Sequence, residues 1–153
     1  MNFELSDEQK MIQQSVERFV QDNYDLNTRI SLSSDDLGYS NDYWKSMAEL
    51  GWLGLPFDES DGGFGGNQID VLVIMEQFGK GLVLEPYLAS VVMGGGALKK
   101  GGTESLKNEI LPGLVDGTKQ LSFAYAEQQS RFDLEDVITS ARKEKDTFIL
   151  NGQ

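Results

Sequence analysis

The sequence predicts a mainly α-helical fold, with an N-terminal bundle of about five helices followed by a truncated β segment. Two observations predict it. Apolar residues recur at helical spacing up to about Gly117, and capping residues, glycines and prolines divide them into segments. From Gln120 onward, short alternating runs separated by turns replace that pattern, as is typical of strands. We therefore expect a helical domain over residues 1–118 and the beginning of a β-domain over residues 119–153.

The first helix is predicted to begin after Ser6, because Ser6 and Gln9 have the spacing of a capping box. Its apolar residues fall on one face, which makes the helix amphipathic: Ile12, Val16, Phe19 and Val20. The next stretch, residues 26–37, is polar and weakly patterned, and it predicts a loop with room for a helical turn.

A second helix is predicted to begin at Ser40 or Asn41, with apolar residues at Trp44, Met47, Ala48 and Leu50. Gly51 then stands where a helix end commonly places a glycine in the left-handed region. Residues 52–56 are apolar and predict an extended connection away from the helix.

A glycine-rich segment, residues 58–66, precedes the third predicted helix. Such a loop can bind phosphate. This one, however, lacks the preceding strand and the third glycine of the dinucleotide fingerprint, and its three carboxylates would repel an anion. A turn-rich connection that needs positive φ angles is the preferred interpretation. The helix from Asn67 is apolar almost all round, which predicts a buried central helix ended by Gly79 and Gly81.

A fourth helix is predicted to start at Pro86, with Glu85 as its cap. It runs into three consecutive glycines at residues 94–96, and two interpretations stay open. The glycines allow another backbone or a ligand to approach closely, or they separate two short helices.

The last predicted helix is capped by Thr103 and ended by Pro112 and Gly113. Three strands are predicted to follow, at residues 121–126, 137–141 and 147–150. The sequence then stops at Asn151-Gly152-Gln153, although an Asn-Gly turn normally has a strand on each side. We therefore interpret the chain as a piece of a longer protein.

Composition excludes several functions. There are 25 acidic and 13 basic residues and a formal net charge of -12, so neither nucleic acid nor an anionic membrane surface is an expected partner. The absence of Cys and His removes the usual zinc ligands and rules out a Ser-His-Asp triad. With no recognisable signal peptide and no long apolar run, we expect a cytoplasmic protein without a membrane span.

Several segments carry a resemblance to a known family, at residues 5–9, 50–55, 62–66 and 75–81. Six later positions match, at fixed spacing, the family pattern Thr-Glu-x-x-x-Gly-Ser-Asp followed by Thr-x-Ala and Asn-Gly: Glu127, Asp133, Thr139, Ala141, Asn151 and Gly152. On these motifs the chain resembles the N-terminal part of the acyl-CoA dehydrogenase family, whose helical domain leads into a middle β-domain.

The resemblance implies FAD as cofactor, an acyl-CoA thioester as substrate and α,β-dehydrogenation as the reaction. It places the cofactor-binding positions at Phe123, Tyr125, Ala126, Glu127 and Phe132. It places the acyl chain along the helix that contains Val91, so that Val91 and Phe132 are the substrate-binding positions. The family's catalytic base is a Glu of a C-terminal domain beyond these residues, so the resemblance assigns no catalytic residue and no metal ligand here.

Three positions depart from the family pattern. Ala126 replaces a Thr that meets the flavin, and Arg131-Phe132 replaces a Gly-Ser pair whose Ser lies at the phosphates of FAD and acyl-CoA. Loss of both hydroxyls, together with a larger side chain at a tight turn, should weaken flavin binding. Arg131 could replace part of the phosphate contact, or it is a solvated arginine on a turn.

Two functions stay open. The chain belongs to a subunit of a flavin-dependent dehydrogenase, or to a non-catalytic partner subunit that shapes the acyl pocket without its own FAD. The pattern of residues 123–133 resembles the small subunit of heteromeric members such as pimeloyl-CoA dehydrogenase. The resemblance also implies a homo- or hetero-oligomer and an electron-transfer flavoprotein or similar electron acceptor.

Overall fold

The computed structural model describes residues 4–152. The chain divides into two compact units, and the division lies between Ser122 and Phe123. We call them the helical unit and the hairpin unit.

Residues 4–122, the described part of the helical unit, contain six α-helices and one π-helix. Their bounds are α1 Asp7–Asn23, α2 Leu26–Ser33, α3 Asn41–Glu49, α4 Gln68–Gly81, the π-helix Leu88–Gly95, α5 Gly96–Gly101 and α6 Glu104–Val115. A short 3-10 turn at Glu59–Asp61 lies in the glycine-rich connection. Among the described residues, no helix is long and apolar enough to cross a membrane.

Helices α1 and α4 form the main helix pair, and their N-terminal caps are joined. Ser6 and Gln9 form the predicted capping box of α1, and Asn67 and Asp70 form a second one at the start of α4. The Gln9 amide group also donates from Nε2 to Oδ1 of Asp70 over 2.9 Å. The side chain of Gln9 therefore ties the first turn of α1 to the first turn of α4.

The core of the helical unit is made by side chains from every long helix and from the connection after α3. Aromatic rings cross it in edge-on contacts, Phe19 on Trp52, Trp52 on Phe78 and Phe78 on Tyr87. The buried cluster consists of Val16, Trp44, Met47, Trp52, Leu53, Phe57, Ile74, Phe78, Tyr87, Val91, Leu111 and Leu114. The mainly α fold and its β ending, predicted from the sequence, are confirmed.

Two helix predictions were wrong in extent. Residues 26–33 form α2 rather than a loop, because the carboxylate of Asp25 accepts from the Thr28 N–H at 2.7 Å and caps the segment. Helix α6 continues through Pro112 to Val115, since Leu111 and Leu114 on either side of the proline are fully buried in the core. Burial of these side chains outweighs the lost backbone hydrogen bond.

The connections after α3 and around α4 differ from the prediction in part. Gly51 has the expected positive φ of 80°, but residues 52–56 form turns rather than an extended segment. The glycine-rich connection has the positive φ angles that were predicted, at Gly62 and Gly65. Helix α4 is not buried all round: Ile69 and Leu72 are 51% and 64% exposed, because only one side of the helix faces the core.

The three glycines at residues 94–96 lie in continuous helical backbone, where one helix passes directly into the next. The π-helix ends at Gly95 and α5 begins at Gly96 without a turn between them. A Cβ atom on Gly94 would lie 2.6 Å from Cβ of Leu121, and one on Gly95 would lie 2.5 Å from Cζ of Phe57. Close approach is therefore the reason for these two glycines, and the approaching groups belong to this chain.

In the hairpin unit, the described residues 123–152 form one antiparallel pair of strands, β1 Ser140–Glu144 and β2 Thr147–Asn151. Ser140 faces Asn151 across the pair, and Glu144 faces Thr147. The strand predicted at residues 121–126 does not form, because the described chain provides no neighbouring strand for it. The strand predicted at residues 137–141 starts only at Ser140, since the preceding N–H groups bind a carboxylate instead.

Candidate functional site

Two of the predicted cofactor positions, Glu127 and Phe132, lie on a closed loop, which we call the Glu127 loop and define as residues 127–139. The Glu127 carboxylate accepts hydrogen bonds from the other end of this loop. Ile138 N–H donates to Oε2 at 2.9 Å, and Thr139 N–H donates to Oε1 at 3.0 Å. Nε2 of Gln129 donates to Oε2 at 2.9 Å. The carboxylate at the start of the loop therefore binds the backbone at its end.

These donors keep the Glu127 carboxyl ionised. Hydrogen bonds from Thr139, Gln129 and the Ile138 backbone, in that order, lower the pKa of Glu127 to about 2. Each donor is uncharged, so the pKa is lowered by hydrogen bonding rather than by an ion pair. At neutral pH the side chain has no proton to give, which argues against a role as a general acid. Its low pKa makes it a weak base, which argues against a role as a general base.

A buried serine fixes the first turn of the loop. Ser130 Oγ accepts from the Glu127 N–H at 3.1 Å and donates to the Glu127 carbonyl oxygen at 2.9 Å. The Ser130 carbonyl oxygen in turn accepts from the Asp133 N–H at 2.8 Å. Ser130 was not predicted as a site residue, and its position in a polar turn gave no signal of its burial.

The tip of the loop carries the two residues that depart from the family pattern. Arg131 has a φ of 50°, in the left-handed region that favours glycine. The next side chain, Phe132, is 99% exposed. The backbone at Arg131 therefore has a conformation suited to the Gly of the pattern, although the side chains are different.

The chain leading into the loop presents two aromatic rings on one side. Phe123 and Tyr125 stack with ring centroids 6.2 Å apart and an interplanar angle of 20°. Both rings are about half exposed, and Ala126 is exposed after them. The structure thus brings Phe123 and Tyr125 together and holds Glu127 inside the loop closure, whereas Phe132 projects from its tip.

Thr139 joins the loop to the end of strand β2. Its hydroxyl lies so close to the Cα of Gly152 that a Cβ atom built there would collide with Thr139 Oγ1. Gly152 is therefore required for this packing. Three of the positions that match the family pattern, Glu127, Thr139 and Gly152, form one contact cluster in the structure.

On the helical unit, the predicted substrate position Val91 has no exposed surface and lies in the core cluster. It is part of the π-helix, a conformation that is rare and often found at functional sites. The Ser90 hydroxyl of the same helix accepts from the Leu121 N–H at 2.8 Å. Two surface clefts of this unit, of about 490 and 350 Å³, have none of the predicted site residues in their lining.

Glu85 has a different role from the one predicted. Its carboxylate does not cap the following helix but accepts from the Tyr24 hydroxyl, and from the Ser40 N–H at 3.1 Å. The Glu85 side chain is buried, and burial together with the bond to Glu85 raises the pKa of Tyr24.

Among residues 4–152 no cluster of acidic side chains could hold a metal ion.

Comparison with known proteins shows which family this chain is similar to. The family model described as "Acyl-CoA dehydrogenase, N-terminal domain" matches residues 6–118. The chain is 32% identical, over all of its length, to the probable acyl-CoA dehydrogenase YngJ of Bacillus subtilis. It is 30% identical, over 97% of its length, to the caffeyl-CoA reductase-Etf complex subunit CarC of Acetobacterium woodii.

A solved structure gives the same result for the fold. An acyl-CoA dehydrogenase complexed with FAD from Bacillus anthracis superposes with a TM-score of 0.86 and 30% identity, over 97% of this chain and 26% of that one. The chain spans 40% of the length of both curated relatives.

Proposed function

The chain belongs to the acyl-CoA dehydrogenase family, and from this premise we propose that the whole protein is a subunit of a flavin-dependent dehydrogenase. Its reaction would introduce a double bond between the α and β carbons of an acyl-CoA thioester. FAD would accept the electrons, and an electron-transfer flavoprotein or a similar acceptor would receive them next. The family match over residues 6–118 is the observation that carries this proposal.

The domain division, the assembly and the location of the whole protein can be proposed as well. We propose a domain division near residue 118, a homo- or hetero-oligomeric assembly and a cytoplasmic location. The name of the CarC relative, a subunit of an Etf complex, supports an electron-transferring partner. The acidic net charge of -12 supports an assembly that excludes nucleic acid.

Residues 126–132 do not offer FAD the contacts that the resemblance implies. Ala126 has no hydroxyl, and Phe132 places a fully exposed ring where the pattern has a serine. The backbone at Arg131 has a left-handed φ of 50°, which suits the glycine of the pattern. The segment thus has a backbone that fits the pattern but lacks the polar contacts of the pattern.

That mismatch favours a second candidate function. A partner subunit would keep the loop for its shape while another subunit of the same assembly holds the FAD. Phe123, Tyr125, Ala126, Glu127 and Phe132 would then contribute to the cofactor site through the shape of the segment and through apolar contacts. Retention of the three-residue cluster of Glu127, Thr139 and Gly152 beside replaced contact positions is the observation that supports it.

Val91 remains a proposed determinant of the acyl site, together with Phe132. Because its side chain is fully buried, Val91 would act through the packing of the π-helix rather than by contact with the acyl chain. Val91→Ala should shift the preferred acyl chain length of the whole enzyme. Thermal unfolding of the variant serves as the control, because a buried truncation also lowers stability.

An absorption spectrum of the purified whole protein, alone and with the product of the neighbouring gene, separates the two candidates. Flavin bands in the protein alone support the catalytic subunit, and bands only in the mixture support the partner subunit. Absence of flavin and of acyl-CoA binding in both preparations would contradict the proposed function. We expect residues 1–153 alone to bind no FAD, and flavin that stays with them through gel filtration would contradict that expectation.

A further inference from the structure

The Glu127 side chain makes the long-range connection within its loop. Its carboxylate binds backbone N–H groups 11 and 12 residues later in the chain, at Ile138 and Thr139. The other acidic side chain with a backbone contact in the loop, Asp133, accepts from the N–H of Glu135, only two residues away. Glu127 alone among the described acids therefore connects the two ends of this loop.

The oxygens of Glu127 are already occupied by protein donors. Oε2 accepts from Ile138 N–H and from Gln129 Nε2, and Oε1 accepts from Thr139 N–H. A carboxylate used in this way has little capacity left for a ligand. The backbone N–H groups donate to charged carboxylate oxygens, and such hydrogen bonds are stronger than those between neutral groups, so they are well suited to hold a backbone in place.

We propose that Glu127 is a positioning residue, which fixes the shape of the loop between residues 127 and 139 before any ligand or partner binds. Through this loop it sets where Arg131 and Phe132 lie. The inference rests on the proposed function only for the role of the loop as a contact segment. The closure itself is a property of the chain.

Glu127→Gln tests the closure with a minimal change. The amide keeps one acceptor oxygen and turns an NH2 group toward one of the two backbone donors, so at least one hydrogen bond is lost. In hydrogen-exchange mass spectrometry of the full-length protein at pH 7, we expect at least a tenfold loss of protection for peptides that contain Ile138 and Thr139. Glu135→Gln is the matched control, since it removes a charge in the same loop without touching the closure, and protection there should stay within twofold of the wild type.

The pH profile separates positioning from a general effect on folding. The folded pKa of Glu127 lies near 2, below its ordinary value of 4.5, so the closure is at full strength above pH 4.5 and is lost as the pH falls toward 2. Protection factors of the wild-type loop should follow that window. The loop holds three further carboxyl groups, at Asp133, Glu135 and Asp136, and Glu127→Gln keeps all three. This variant therefore supplies the reference profile, in which protection should stay low throughout.

The outcomes distinguish this inference from the proposed function. Unchanged protection at Ile138 and Thr139 in Glu127→Gln, or an equal loss in Glu135→Gln, overturns the positioning role. Lost protection in Glu127→Gln alone supports it, whatever the absorption spectrum shows. A wild-type assembly that holds neither flavin nor acyl-CoA would contradict the proposed function while the exchange result for Glu127 stands.

Discussion

Glu85 shows how one buried side chain connects distant parts of the helical unit. Its carboxylate accepts from Tyr24 at the end of α1 and from the backbone of Ser40 at the start of α3. A buried carboxyl group is costly unless hydrogen bonds replace its contacts with water. The connection between α1 and α3 therefore depends on these two donors.

Removal of the Tyr24 hydroxyl tests this dependence. Tyr24→Phe leaves an acceptor of Glu85 buried without its donor, and we expect a loss of about 1–3 kcal/mol in the free energy of unfolding, measured by urea denaturation. Tyr39→Phe is the matched control, because its hydroxyl contacts Gln120 at the surface. That variant should change stability by no more than about 0.5 kcal/mol. Equal losses in the two variants would show that Glu85 is not the reason.

Arg131 has a backbone conformation that most residues other than glycine avoid. A non-glycine residue in the left-handed region costs roughly 1–2 kcal/mol. Arg131→Gly should remove this cost. Glycine also has greater freedom in the unfolded chain, which lowers the stability of the folded state by about 0.4–1 kcal/mol and cancels part of the gain. We expect a small net increase in the protection of loop amides against hydrogen exchange. Decreased protection would mean that the arginine side chain stabilises the turn.

At the scale of elements, the junction of the π-helix and α5 depends on which glycine is replaced. A Cβ on Gly95 would press on Phe57 and on Leu114, whereas one on Gly96 would meet nothing within 4 Å. We expect Gly95→Ala to cost about 1–3 kcal/mol through overpacking. Gly96→Ala should gain up to about 1 kcal/mol from helix propensity. Thermal unfolding of the two variants checks the order, and a tolerated Gly95→Ala would show that the core can move aside.

Local signals predicted the elements whose causes are local. Ser6 and Gln9, three residues apart, marked the start of α1, and Gly51 marked the end of α3. Helix α2 was not predicted, because its sequence is only weakly amphipathic and its main signal is a single capping residue, Asp25. The prediction of a strand at residues 121–126 was wrong. Alternation shows which side chains would share a face of a strand, but a strand forms only where a neighbouring strand pairs with it.

The candidate site divides in the same way. The spacing of Glu127, Thr139 and Gly152 was visible in the sequence as a family match. Their mutual contacts were not, because a carboxylate that binds backbone groups 11 and 12 residues away leaves no periodic pattern. The burial of Val91 follows from how the π-helix packs on the core, which the sequence does not specify.

At the scale of the molecule, the two units differ in how much they bury. The helical unit has a continuous core, whereas every residue of β1 and β2 is exposed. A single two-stranded hairpin is marginal in water, and its open edges can pair with another chain. Phe148 and Ile149 add exposed apolar surface to β2.

We therefore predict that residues 1–153 are folded and helical but associate through the hairpin unit. A truncation after Ser122 should be monomeric with the same helix content, because it keeps the contact of Leu121 with the π-helix. Light scattering and circular dichroism on the two chains provide the test. Monomers of equal helicity in both cases would show that the hairpin unit does not associate.

The link between Gln9 and Asp70 has a consequence for the order of folding. One amide side chain completes the cap of α1 and contacts the cap of α4, 61 residues away in the chain. Starting a helix is unfavourable until its first turn is stabilised, so each of these helices gains part of its initiation from the other. We therefore expect this long loop to close together with the formation of the two first turns. The two helices should accordingly form and open as one cooperative unit, with their first turns exchanging hydrogen together.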